Sequence, residues 1–160
     1  MNFAEVAKSR SNCLRRNVGA VLVKDNHIIA TGYNGTPVQV RNCTEGGCDR
    51  CLNTKSYPVG RDYDLCLCVH SEANTILQSA RLGNAVEDGR IYTTLQPCLT
   101  CLKECINAGI SGVIYLESWT VPLEQKEAYD RMTKMLDIFK QYCPPVSPEI
   151  NIRHAISTQV

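Results

Sequence analysis

The 160-residue sequence contains no uninterrupted apolar run near the roughly 20 residues that a bilayer-spanning helix requires. Its opening, MNFAEVAKSRSN, also lacks the apolar centre of a secretory signal. Together these absences give the expectation of a soluble, cytoplasmic protein with no membrane partner. Excess charge of one sign is missing as well: 17 Lys and Arg face 16 Asp and Glu, a formal net charge of +1. No broad field therefore draws a phosphate backbone to the chain. Aromatic residues make up only 6%, with one Trp and two Phe, too few for the stacking platforms that single-stranded nucleic acid uses. Both shortages argue against a nucleic-acid partner. Repeats, low-complexity tracts and an interdomain linker are absent too, and 44% hydrophobic content over this length suits one compact domain, residues 1–160.

What the chain has in abundance is cysteine, ten of them beside only three histidines. In a reducing compartment such thiols serve as metal ligands or reactive groups more often than as disulfides. The rest of the pattern is α/β. NFAEVAKSRS reads as a first helix, and VGAVLVKDNHIIATGYNG as two β-branched runs joined by a hairpin at Lys24-Asp25-Asn26. From Gly32 to Tyr63, glycine, proline, asparagine and cysteine replace periodic apolar residues. So long an irregular segment needs something to order it. Ala73, Ile76, Leu77 and Ala80 follow helical spacing up to Gly83; RIYTTL at 90–95 and GVIYLE at 112–117 read as strands. Between them Pro97 can open a helix faced by Cys101, Leu102, Cys105 and Ile106 and stopped by Gly109. Ala128, Met132, Met135, Leu136 and Phe139 suggest a final helix before CPPVSPEI breaks it. Alternating strands and helices imply helices on both faces of one sheet.

Two short motifs carry the chemistry. His70 stands two residues before Glu72 at a helix start, and Cys98 and Cys101 are three apart at the start of the next helix. A lone histidine on an apolar helix is commonly a core residue, and Cys-x-x-Cys alone is equally a buried pair or a redox pair. Together, in this order with a strand between, His-x-Glu and Pro-Cys-x-x-Cys match the zinc-deaminase pattern. Three protein ligands leave a tetrahedral zinc one open position for water, the arrangement of a catalytic site, and Glu72 then carries protons rather than binding metal. The expected reaction is attack of hydroxide on carbon 4 of a cytosine, with Glu72 delivering a proton to ring nitrogen 3 and ammonia leaving.

CLRRNVGAVLVKDNHIIATGYNGTP, CTEGGC, LCLCVHSEANTIL and QPCLTCLKECINAGISGVIY resemble the deoxycytidylate deaminase family in unbroken order from about residue 4 to 117. The resemblance implies a three-layer α/β/α sandwich around a mixed sheet of about five strands. It also implies conversion of dCMP to dUMP, feeding thymidylate synthesis, in a homo-oligomer (hexamer or dimer) with dCTP and dTTP as effectors together with Mg. It implies a second, structural zinc held by Cys13, Cys43, Cys48 and Cys66, with Cys51 and Cys68 surplus but able to replace one of the four. For substrate, the resemblance points to Asn34 in GYNGTP reaching the sugar, although Asn-Gly is also ordinary turn chemistry, and to Thr94 lining the base pocket. Arg15 and Arg16 are available for a phosphate, or are solvated surface charges.

The chain departs from the family in reading Ser71 where relatives carry alanine; the serine keeps the amide, and its hydroxyl can bond substrate or cap the helix. The extra thiols Cys51 and Cys68 leave the phosphorylation state of the substrate open, so dCTP or a free (deoxy)cytidine stands beside dCMP. A nucleic-acid cytosine or adenine deaminase shares the zinc chemistry, and a noncatalytic zinc-binding module is the remaining class.

Overall fold

The computed structural model describes residues 1–57 and 63–144. The chain runs α1 (Asn2–Lys8), β1 (Gly19–Lys24), β2 (His27–Tyr33), α2 (Asp49–Leu52), α3 (Ser71–Arg81), β3 (Arg90–Leu95), α4 (Leu99–Asn107), β4 (Gly112–Glu117), α5 (Lys126–Thr133) and β5 (Ile138–Gln141). The strands form one sheet in the order β2-β1-β3-β4-β5. β1 is antiparallel to both β2 and β3, whereas β3, β4 and β5 are parallel, so the five-stranded sheet is mixed. The hairpin turns at Asp25 and Asn26 with φ of 50° and 63°, the left-handed pair that two-residue hairpin turns require and that Asp and Asn tolerate.

Two glycines show how the layers stack. A Cβ on Gly19 would collide with Ala4 O and the backbone of Lys8 in α1, while one on Gly32 would collide with Ser71 O and Thr75 in α3. Gly32 pairs with Ala20, the neighbour of Gly19. Successive strand residues point to opposite faces, so α1 covers one face and α3 the other. Leu102 and Cys105 of α4 and Tyr129 of α5 share one buried cluster with Ala20, Leu22, Ala30 and Ile91, which puts α4 and α5 on the α3 side. The result is a three-layer α/β/α arrangement.

The face of α3 differs from its apolar spacing. Its buried residues are Ser71, Glu72, Thr75 and Ser79, while Leu77 is 54% exposed and Ala80 is exposed too. The cause is the close approach at Gly32, which admits only small side chains between helix and sheet; Ile76 packs at the margin of the core. Gly32→Val should therefore force α3 off the sheet and cost about 1–3 kcal/mol or more. For a chain of this length that is a melting temperature lower by several degrees; an unchanged thermal unfolding midpoint would contradict this packing.

The C-terminal helix is shorter than its spacing implied. α5 ends at Thr133, Leu136 is buried in a turn, and Phe139 lies in β5, paired with Val113. Apolar residues at 132, 136 and 139 satisfy helical spacing, but Ile138-Phe139 is also a β-branched and aromatic pair that completes the parallel sheet. The first helix likewise stops at Lys8, and the irregular segment begins after Tyr33. Of the CPPVSPEI breaker, the residues beyond 144 lie outside the described residues.

Candidate metal centre and its cavity

Each donor of the centre sits where an element begins. His70 is the N-cap of α3 and Cys98 the N-cap of α4, both in extended conformation, and Cys101 follows in the first turn of α4. His70 Nδ1 lies 3.4 Å from Cys98 Sγ and 3.3 Å from Cys101 Sγ, and the two sulfurs are 3.6 Å apart. Tetrahedral zinc with Zn–S of about 2.3 Å and Zn–N of about 2.05 Å places such donors about 3.6–3.8 Å apart, so the set fits zinc after a shift of a few tenths of an ångström. The hydrogen bond with Cys101 and then that with His70 draw the Cys98 thiol down to about 4, while the bond with Cys98 lifts the His70 imidazole to about 9. The bond with Cys98 and burial push the Cys101 thiol up.

Glu72 is 4% exposed on the inner face of α3. Burial raises its carboxyl above the usual range, against the opposing pull of His70. Ser71 Oγ donates to Oε2 at 3.0 Å and Thr93 Oγ1 to Oε1 at 3.4 Å. The Ser71 hydroxyl is thus spent on Glu72, the helix N-cap being His70. Thr93, not Thr94, is the threonine of β3 that faces the centre. Thr94 is turned to the opposite face, where its hydroxyl accepts from Gly19 N at 3.1 Å. Strand parity could have signalled this, because Ile91 faces the core and residues two apart share a face.

The centre opens on a cavity of about 530 Å³, with Glu72, His70 and Cys98 on its wall beside Leu95 and Trp119. Arg15 and Arg16 line it as well. Arg15 Nη2 donates to Tyr57 O, while its Nε is buried with no partner among the described residues. Two further lining residues, Arg50 and Tyr63, had no sequence motif to mark them. Arg50 Cζ sits 4.6 Å over the Tyr63 ring, and that ring meets the His70 imidazole edge-on at 5.7 Å. Tyr129 reaches in from α5, its hydroxyl donating to Pro97 O at 2.7 Å and accepting from Gln96 Nε2 at 2.9 Å, which steadies the approach to Cys98.

Asn34 lies outside the cavity wall. Its Oδ1 accepts from Val18 N at 2.8 Å and Ser11 Oγ at 2.7 Å, and its Nδ2 donates to Arg16 O at 2.7 Å. In this arrangement the side chain pins the loop that carries Arg15 and Arg16. Asn34→Ala would strand the buried Val18 amide at a cost of about 1–3 kcal/mol, and a thermal unfolding midpoint equal to the wild type's would refute that role.

The remaining thiols gather in a second place. Cys13, Cys43, Cys51 and Cys68 form one group, and Cys48, Cys51, Cys66 and Cys68 another, with the sulfurs in each within 4.8 Å of one another. The expected quartet Cys13, Cys43, Cys48 and Cys66 is therefore not the geometric unit. Cys51 and Cys68, surplus in the sequence, belong to both groups, because the turn of α2 and the extended chain before α3 bring them to the middle. Hydrogen bonds from Cys68 hold the Cys13 thiol down to about 5 and the Cys66 thiol down to about 4.

Comparison with known proteins agrees with this chemistry. The sequence pattern of the cytidine and deoxycytidylate deaminase zinc-binding region matches residues 1–117. The chain belongs to the cytidine and deoxycytidylate deaminase family. Within that family it is 41% identical over 147 residues to the deoxycytidylate deaminase of Schizosaccharomyces pombe, covering 91% of this chain and 43% of that protein. It is 42% identical over 124 residues to that of Saccharomyces cerevisiae, covering 78% and 38%. The chain thus spans less than half the length of these two yeast deaminases. The deoxycytidylate deaminase of Mycobacterium phage D29 is nearer in size, 36% identical over 119 residues that cover 72% of this chain and 89% of that one. Among solved structures, the apo dCMP deaminase of cyanophage S-TIM5 superposes with a TM-score of 0.64 at 25% identity, covering 88% of this chain and 92% of that one. The matched zinc-binding region spans the His70, Cys98 and Cys101 donors. Among the described residues no helix is long and apolar enough to cross a membrane.

Proposed function

We propose that this chain hydrolyses dCMP to dUMP and ammonia. The observation that carries the reading is a buried carboxylate, Glu72, set beside a three-donor metal centre on the wall of a cavity that three arginines also line. Zinc held by His70, Cys98 and Cys101 would supply Lewis acidity at neutral pH. Glu72 takes a proton from the attacking water and hands it to ring nitrogen 3, then carries a second to the departing amine. A group with those two duties must be basic early and acidic late, and burial raises the carboxyl above its usual range. Ser71 and Thr93 hold one carboxylate oxygen each, so the proton carrier keeps its aim. Leu95 and Trp119 give the pyrimidine an apolar wall. The guanidinium groups of Arg15 and Arg16, on the wall of the same cavity, suit a 5′-phosphate, since their forks match its oxygens. The names of the relatives support the monophosphate.

The reading extends to cytoplasmic thymidylate supply by a homo-oligomer, hexamer or dimer, with dCTP and dTTP as effectors together with Mg. Ammonia release should be fastest with dCMP in a panel that includes dCTP, deoxycytidine, cytidine and a short cytosine-containing DNA strand. Added dCTP should raise the rate and dTTP lower it, and light scattering should give a mass above the monomer's. Action on the strand alone would overturn the nucleotide reading, and no release from any substrate would overturn the enzyme.

A further inference from the structure

Six thiols converge outside the catalytic centre, and they do so as two overlapping quartets. We propose that Cys13, Cys43, Cys48, Cys51, Cys66 and Cys68 hold a binuclear zinc cluster in which the Cys51 and Cys68 sulfurs bridge the two ions. Cys13 and Cys43 complete one tetrahedron, Cys48 and Cys66 the other.

The spacing of the sulfurs fits this. Two thiolates on one tetrahedral zinc lie about 3.8 Å apart when Zn–S is about 2.3 Å. Cys51 Sγ and Cys68 Sγ, the shared edge, are 3.9 Å apart. Cys48 and Cys66, a terminal edge, are 3.9 Å apart, and edges from terminal to bridging sulfur measure 3.8 Å for Cys13–Cys51 and 3.8 Å for Cys51–Cys66. A disulfide, at about 2.05 Å, matches none of them. One ion could use only one quartet. It would strand either Cys48 and Cys66 or Cys13 and Cys43, although Cys43 and Cys48 are both wholly buried and face the same two sulfurs. Edge-sharing tetrahedra use all six with none left over.

Charge and position fit as well. Six thiolates around two dications leave a net charge of about −2 by formal count. Three of the sulfur-bearing residues, Cys13, Cys51 and Cys66, share the cavity wall with Arg15, Arg16 and the buried Arg50. Cys68 stands two residues before His70, and Cys13 two before Arg15. The cluster therefore ties the first catalytic donor and the arginine loop to one rigid knot, and it orders the long segment between β2 and α3, which has little other secondary structure.

The test uses the full chain, reconstituted with excess zinc and passed through gel filtration. Elemental analysis should give three zinc ions per chain, and His70→Ala should give two. After exchange with cadmium-113, NMR should show two tetrathiolate signals, each split by coupling to the other cadmium through the bridging sulfurs. Two zinc ions per wild-type chain, or a single unsplit tetrathiolate signal, would overturn the cluster. Neither readout depends on turnover, so a chain that binds three ions and deaminates nothing would sink the proposed activity and leave the cluster standing.

Discussion

Glu72→Gln should keep the full zinc content of the wild type and lose about 10²-fold to 10⁴-fold in kcat, the range that a positioned proton-transfer group contributes. The swap is close to isosteric. Ser71 and Thr93 hydroxyls can reverse roles, one or both accepting from the new amide in place of donating to a carboxylate oxygen. Folding should not suffer, since the substitution removes a group that must otherwise be buried at 4% exposure and whose charged form burial disfavours. What vanishes is the capacity to receive a proton from water and return it to the base. Steady-state kinetics, metal analysis and a thermal melt on the same preparation check all three statements. Full activity in a zinc-loaded, normally melting variant would show that Glu72 is not the proton carrier.

Cys98→Ala should fail in the opposite way, losing one zinc per chain along with the activity. Cys98 contributes its side chain to the centre and only its backbone to the α4 N-cap, which makes no side-chain capping bond, so alanine keeps the helix start. The centre drops from three donors to two, His70 and Cys101. Two donors rarely hold zinc against water, and one of the centre's two sulfurs is gone. Deamination should fall to background and not return with added zinc at concentrations that saturate the wild type. Retention of wild-type zinc content by Cys98→Ala would mean that the ion sits elsewhere. The two variants share a lost activity and differ in metal, which separates binding of the ion from proton transfer.

The convergence of His70, Cys98 and Cys101 was legible because their motifs are local. His70, Glu72, Cys98 and Cys101 occupy the first turns of two helices, and short spacing there nearly dictates convergence once the strand between them is in place. Helices on both faces of one sheet were legible in the alternation of elements, whereas the strand order β2-β1-β3-β4-β5 was not. What stayed hidden depends on contacts between distant segments. The buried stripe of α3 follows from the absence of a Cβ at Gly32, which hydrophobic spacing within the helix does not record. Phe139 satisfied a helical period and belongs to a four-residue strand, too short to show a period of its own. Thr94 is the residue that the resemblance points to for the base pocket, whereas strand parity turns Thr93 toward Glu72. Asn34 looked equally like a turn residue or a ligand, and the structure commits its amide to Val18, Ser11 and Arg16. The grouping of the remaining thiols is hidden for a related reason. Cys51 and Cys68 belong to both groups of four, and spacing along the chain does not encode which sulfurs meet.

The central claim is that His70, Cys98 and Cys101 hold one zinc ion beside Glu72, and anomalous scattering measured across the zinc edge on crystals of the full chain tests it most directly. The expected result is a peak about 2.0–2.1 Å from His70 Nδ1 and about 2.3 Å from each of the two sulfurs, facing the Glu72 carboxylate. Zinc peaks among the other cysteines with none between these three side chains would contradict it.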